Sequence, residues 1–485
     1  MWKPLRGVGR RGMGQLIPLA STKPNSIMRR HPILVWAAIP VLMFFAFSCR
    51  KNVGADATGK TAPRATTSTF KVIGYLPSWS GSVSAIQFSK LTHINYAFLL
   101  PNSDGSLQAI DNSSKLQSMV TAAHAAGVKA LISVGGGGGG GGFAGIVASS
   151  PNITNFVNNM ISFCNQYGLD GVDIDWEYPS TGTQASNFLT MMTQLSTAMH
   201  NSGRVLSIAV IGEDGDYVLS GMFNVVDIVM IMAYDDNNFQ HSTYELGTQC
   251  MAYWLGRGCP TSEAILGVPF YGHDSTQDPN SDAAEVEYNT IIGEGGNPQL
   301  DVFGSIGYNG ILTMESKTSY AMATGGGVGI WELSGDGTGS ASLLSAINNV
   351  VVAGGVVATN APVGQIVTFK GNNGLYVTSN DADSAMACDR PVAQAWEQFT
   401  VVNAGYGKVA LQAMGHYVSS EDGLNPITCN RTAYSTWEEF DWIPVSGGVT
   451  LRGTNGLFIS SENGAKFMTC NRPVAQGWET FGVNQ

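Results

Sequence analysis

The chain has 485 residues, more than one ordinary domain of roughly 100–200 residues holds, so a single sandwich or helical bundle is excluded and two or three cores are expected. Hydrophobic residues make up 44% and charged residues 13%, which excludes wholesale disorder and leaves Ser, Thr, Asn and Gly to cover the surface. The formal charge is −11, and because seven of the 25 Lys and Arg but no acid precede Cys49, the remainder carries −18; a body of that sign repels phosphate backbones, and no nucleic-acid partner is expected. Seven cysteines without a Cys-x-x-Cys pair imply neither a disulfide scaffold nor a metal site. No metal and no cofactor are expected.

Residues 1–32 hold seven basic side chains and no acidic one, and the uncharged stretch 33–47 follows, which is a signal-peptide pattern. Those 15 residues fall short of the ~20 that cross a bilayer. Met28-Arg29-Arg30 would be a more ordinary start than Met1. The run Ala46-Phe47-Ser48-Cys49 resembles the lipobox of bacterial lipoproteins, with Ala46 where leucine is usual. That resemblance implies lipidation of Cys49 and membrane attachment; simple cleavage and secretion is the alternative, and either route leads to the cell envelope or the extracellular space. Residues 49–68 are Ala/Thr/Gly-rich and aperiodic, a flexible tether.

Beyond the tether, β-branched runs alternate with helical patterns at 71–75, 91–98, 129–134, 171–176, 205–210, 226–232, 264–270 and 328–331. Eight strands separated by amphipathic helices over residues 69–350 predict an α/β fold, a (β/α)8 TIM barrel. Residues 135–142 are eight consecutive glycines. Without a following Gly-Lys-Ser/Thr they form no phosphate loop, and their backbone freedom suggests a mobile rim over a cleft. Between the last two barrel strands, residues 285–292 and 313–323 read as helices, leaving little chain for an added subdomain and predicting an open, shallow cleft.

The most informative segment is Asp170-Gly-Val-Asp173-Ile-Asp175-Trp-Glu177-Tyr-Pro. With a strand period of two, Asp173, Asp175 and Glu177 share one face, and Val172, Ile174 and Trp176 the other. Three carboxylates aimed into a barrel repel one another in a low dielectric, an arrangement suited to holding Glu177 protonated near neutral pH.

This Asp-x-x-Asp-x-Asp-x-Glu segment resembles the signature of glycoside hydrolase family 18, the chitinases. Leu131-Ile-Ser133-Val-Gly135-Gly136, Met232-Ala-Tyr234-Asp235, Val268-Pro-Phe-Tyr271-Gly and Ile330-Trp331-Glu-Leu are similar to further family motifs in the same order. His273 stands where the family often has Arg. The resemblance implies a chitinase, endo-acting if the cleft is open as the short segment between the last two strands predicts, in which Glu177 is the acid, Asp175 orients the substrate acetamide, Asp173 shares a proton with Asp175, and Tyr234 completes the catalytic set. It also implies that Asp235 binds the acetamide, that Met232 lines the site and that Trp331 forms its floor. Tyr75, Phe98 and Tyr271 at strand ends are candidate cleft-wall aromatics or barrel-core packing, and Trp79 is a candidate sugar-stacking residue. The implied partners are chitin and chito-oligosaccharides, bound by a monomer. An endo-β-N-acetylglucosaminidase acting on glycoprotein glycans and a non-catalytic chitin-binding lectin remain as alternatives.

After a low-complexity joint at 351–361, residues 362–485 repeat with a period of 41: Tyr376, Tyr417 and Phe458; Cys388, Cys429 and Cys470; Arg390, Arg431 and Arg472; Trp396, Trp437 and Trp478. The pattern resembles fascin-like β-trefoil modules, which implies an all-β trefoil domain that binds carbohydrate and holds the enzyme near its polymer. The three cysteines read as small buried hydrophobes, and the three arginines as sugar sites or structural anchors. Cys250 and Cys259 could pair in an oxidising envelope.

Overall fold

The computed structural model describes residues 70–484 except 238, 279, 280, 282 and 358. The signal segment, Cys49 and the tether lie outside the described residues.

Hydrophobic runs rich in Val, Ile and Leu form strands that can be buried on both faces, as a parallel sheet requires. In chain order these are β1 (Lys71–Pro77), β2 (His93–Leu99), β3 (Lys129–Gly135), β4 (Gly171–Asp175), β5 (Val205–Ile211), β6 (Ile228–Met232) and β7 (Ala264–Pro269). Four short strands follow: β8 (Tyr271–Asp274), β9 (Glu285–Glu287), β10 (Val302–Phe303) and β11 (Ile306–Gly307). The last barrel strand is β12 (Gly327–Trp331). β1 to β7 and β12 close into an eight-stranded parallel barrel, β12 pairing with both β1 and β7. Outward side chains such as Val172 and Ile174 pack under the helices, while Ile73, Tyr75, Ala97, Ile228, Met230 and Ile265 fill the barrel interior.

Three expectations need correction. No α-helix follows β1 or β5; the connections use 3-10 turns at Val83–Ala85, Phe88–Lys90 and Ser220–Asn224. The first connection is rich in Ser and the second in Gly and Asp, whose side chains or freedom compete with helix formation. Residues 285–287 are a strand, and the helix there is only Tyr288–Gly293, so β8 to β11 form a small antiparallel sheet where no subdomain was expected. Strands of two to four residues need far less chain than the length argument assumed. Finally, Cys250 and Cys259 are both free and buried.

The C-terminal region is all strand and turn, and its register repeats threefold. Tyr376 faces Arg390, Tyr417 faces Arg431 and Phe458 faces Arg472, each with the same irregularity one residue later. Val377, Val418 and Ile459, with Met386, Ile427 and Met468, line one shared apolar centre. The repeated cysteines are buried, each with its sulfur 3.3–3.4 Å from a backbone carbonyl oxygen. Arg431 and Arg472 pair with Glu421 and Glu462 inside their own repeats.

Candidate active site

The carboxylates lie at the C-terminal ends of the barrel strands, where side chains from several strands converge. Parallel register sets Ser133 of β3 and Ser207 of β5 on either side of Asp173. Asp173 is fully buried, and its Oδ2 accepts the Tyr75 hydroxyl at 2.9 Å and the Ser133 hydroxyl at 2.8 Å. Burial raises its pKa even so. Asp175 is pushed well above the carboxylate range, first by burial and then by the charges of Glu177 and Asp173. One oxygen of each aspartate is buried without a hydrogen-bond partner. Glu177 stands two residues past the end of β4; burial raises it, a hydrogen bond from Tyr178 lowers it, and the Asp235 charge raises it. Asp170, the first acid of the motif, is elsewhere: it opens β4 from the far end and accepts from Ala130 N and pairs with His124.

Of the glycine run expected to form a mobile rim, Gly135, Gly136 and Gly140 are buried and packed, while Gly137, Gly138 and Gly141 are exposed. A Cβ on Gly135 would lie 2.1 Å from Asp175 O, and one on Gly136 2.5 Å from the Phe98 ring. Residues 140–142 form a 3-10 turn beside Trp176. The run therefore lets the β3 loop press against the β4 end and Phe98, and Gly137 comes within 3.8 Å of Glu177 Oε1 by the same measure.

Trp331 ends β12 in an aromatic cluster. Its ring stacks on Phe98 at 5.4 Å between centroids, meets Tyr75 edge-on at 5.7 Å, and lies 6.5 Å from Trp79. Tyr75 is buried and belongs both to the barrel core and to the site, whereas Trp79 is 63% exposed. Met232, at the end of β6, packs against the barrel interior. Tyr234 sits just beyond it, in space that Gly267 of β7 leaves open: a Cβ there would be 3.0 Å from its ring. Burial raises the Tyr234 hydroxyl well above its usual pKa.

Asp235 has a left-handed backbone (φ 64°), a conformation that concentrates at functional sites. Its half-exposed carboxylate accepts the Tyr271 hydroxyl at 2.6 Å and lies 3.2 Å from both His241 Nδ1 and His273 Nε2. Burial works to raise its pKa, but these neighbours hold it far below the carboxylate range. Sequence reasoning missed His241, which no motif flags, and saw His273 only as a departure. Asp235, His241 and His273 are the kinds of group that ligate metals, and their donor atoms lie within 4.8 Å of one another. The two imidazoles, however, stack face to face at 4.1 Å and 6°, so one ion cannot lie in both ring planes. As arranged, the cluster suits proton sharing and not ligation.

The barrel is closed and parallel and carries the acidic row at its strand ends, and the chain belongs to glycosyl hydrolases family 18, whose profile matches residues 71–336. Among solved structures it is similar to the GH18 chitinase ChiB from the chitin utilization locus of Flavobacterium johnsoniae, with 28% identity, TM-score 0.53, and coverage of 58% of this chain and 93% of that one. It is also similar to the chitinase-like agglutinin of Robinia pseudoacacia, with 26% identity, TM-score 0.50, and coverage of 57% and 98%. A chitinase-like effector of Moniliophthora roreri is 30% identical over 236 residues, which is 42% of this chain and 58% of that protein. The chain spans about half the length of the curated relatives it matches.

Proposed function

We propose that the chain is an endo-acting chitinase that hydrolyses β-1,4 bonds between N-acetylglucosamine units by substrate-assisted catalysis with retention. The observation that carries this reading is the intact row of buried Asp173 and Asp175 and half-buried Glu177, with two hydroxyls on Asp173 and raised carboxyls on its neighbours.

Glu177 gives its proton to the glycosidic oxygen as the bond from that oxygen to C1 breaks. The carbonyl oxygen of the 2-acetamido group bonds to C1, which yields an oxazolinium ion. Asp175 accepts the acetamido N–H and offsets the positive charge on the nitrogen. Before substrate arrives the proton of the aspartate pair resides on Asp175, and it passes to Asp173 when Asp175 turns to the acetamide, so the pair titrates as a unit. Water then loses a proton to the Glu177 carboxylate and attacks C1 as the bond from C1 to the acetamido oxygen breaks, restoring the first configuration. Tyr234 and Asp235 hold the acetamide, Tyr271 steadies Asp235, and Trp331 with Phe98, Tyr75 and Trp79 carries the sugar faces.

The C-terminal repeats are a β-trefoil in this reading, supported by the threefold register and the shared apolar centre. The basic, then apolar, N-terminal segment directs export, with Cys49 as a lipid anchor. The deciding assay measures chito-oligosaccharide release beside Glu177→Gln, which should lose at least ~10²-fold in turnover while still binding oligomers. Binding without turnover by the unaltered chain would make it a lectin, and turnover of Glu177→Gln within tenfold of the unaltered chain would end the assignment.

A further inference from the structure

The repeats of residues 362–485 each present one tryptophan in the same setting. The carbonyls of Trp396, Trp437 and Trp478 accept the backbone N–H of Ser379, Ser420 and Ser461, each at 2.8 Å, and all three indoles are exposed. The middle one is engaged by the barrel. Glu245, in the first turn of the barrel helix Tyr244–Gly256, accepts the Trp437 indole N–H at 3.3 Å and gives its own backbone N–H to the Thr454 carbonyl at 3.3 Å. Its side chain also meets that of Asp422. This face therefore seats one acceptor and one donor between an indole and two polar residues, and leaves the ring exposed. Among the described residues, neither the Trp396 nor the Trp478 indole N–H meets an acceptor.

The period of 41 carries the same face to the other repeats. In the first, Ala413 and Asp381 stand where the middle repeat has Thr454 and Asp422. In the third those places fall to Asn372 and Asn463, because the last repeat closes onto the first: a Cβ on Gly477 would lie 3.5 Å from Asn372 Nδ2. Both asparagines are exposed, and a carboxamide donates as well as accepts. We propose that Trp478, with Asn372 and Asn463, is a second saccharide site, outside the barrel, that takes an N-acetylglucosamine unit of a chitin chain on its indole face. An acetamido group carries the pair that Glu245 presents in the middle repeat, an oxygen that accepts from the indole and an N–H that donates. An aromatic face flanked by uncharged groups of both kinds suits a neutral sugar, its hydroxyls going to the two amides. The first repeat offers a methyl group and a carboxylate instead. The choice of an N-acetylated sugar rests on the chitinase reading above.

Two measurements on the full chain, carrying Glu177→Gln so that the ligand stays intact, test this. Chitotriose at about 5 mM, enough to fill a site with a Kd of about 1 mM, should move the Trp478 indole N–H resonance and leave that of Trp437 in place. In depletion onto insoluble chitin, Trp478→Ala should lower the apparent affinity about threefold or more. Asn372→Ala combined with Asn463→Ala keeps the ring and should do the same, whereas Trp396→Ala should change nothing. A still Trp478 resonance, or unchanged affinity in both Trp478→Ala and the double amide variant, would overturn the proposal. An equal loss in Trp396→Ala would overturn the role given to the amides. If the Trp79 and Trp331 resonances move and that of Trp478 does not, this site fails and the cleft reading stands; if Trp478 moves without them, the cleft reading fails and this site stands.

Discussion

Arg452, in a strand of the C-terminal repeats, places its guanidinium 2.5 Å from Asp301, in the segment between β9 and β12 of the barrel region. The same guanidinium meets Asp441 at 2.8 Å and Thr313 at 2.9 Å, and Lys408 joins Asp441 at 2.7 Å while lying over the Tyr244 ring. All four charged groups are buried. Removing one partner from such a network leaves charge uncompensated, so Arg452→Met should cost about 3–5 kcal/mol of unfolding free energy, read by urea denaturation. Combining it with Asp301→Asn, which leaves Lys408 and Asp441 as a balanced pair, should recover part of that loss.

The same network bears on the tethered-module expectation. Gln240, in the loop that carries Asp235, donates to the Asp301 carbonyl, and Trp437 donates to Glu245. Deleting residues 362–485 should therefore lower turnover of a soluble tetramer as well as of insoluble chitin, because Asp301 loses its cation. Undiminished soluble turnover would restore the picture of a detachable binding module.

Lys317 is fully buried, with its ammonium on Ser242 O, Ser242 Oγ and Asn309 Oδ1. Burial lowers its pKa to about 7, the Asp301 charge opposing. Between that value and its unfolded one near 10.5 the unfolded chain binds more protons, so this group makes stability rise with pH across that window. Unfolding midpoints in urea at pH 7 and pH 9.5 should differ less in Lys317→Met than in the parent chain. Equal differences would show that Lys317 keeps its proton throughout.

Tyr75→Phe keeps the ring packing against Trp331 and removes one of two hydroxyls from Asp173. A hydrogen bond to a charged group is worth about 1.5–3 kcal/mol, so turnover should fall roughly 10- to 100-fold. The lost donor had favoured the ionised form, so the Asp173–Asp175 pair becomes less acidic and the acid limb of the pH profile should move upward. A lower rate with an unmoved acid limb would assign Tyr75 to packing alone.

Gly136→Ala should raise KM and disorder the aromatic cluster, since the new methyl meets Phe98 and the backbone is left-handed at φ 81°. Tryptophan fluorescence would report the disturbance through Trp79 and Trp331. By contrast, Gly141→Ala meets nothing within 4 Å and should be silent.

Early NMR spectra of the reaction should show the β-anomer as first product, because acetamide participation requires net retention. An initial α-anomer would exclude that route.

The period of two was enough to put Asp173 and Asp175 on one face of β4, because side-chain alternation is a local property of extended backbone. The barrel was legible for the same reason: each parallel strand is a short apolar run, and eight of them appear in order. Repetition at 41 residues likewise exposed the threefold organisation of the C-terminal region. Composition did not reveal that Gly135 and Gly136 serve close approach to β4 and Phe98, because freedom in the unfolded chain says nothing about packing in the folded one.

By itself, then, the sequence determined the acid row, the strand order and the threefold repeat, all set by spacing along the chain. Only the tertiary structure decided who stands opposite whom. Arg452 and Asp301 are far apart in sequence, and nothing local at either predicts a partner for the other. His241 becomes part of the site because the loop after β6 folds it against His273, and that same loop brings Asn237 and Asp235 to His273. Charges in a buried site are fixed by what surrounds them, and barrel closure is the step that brings those surroundings together.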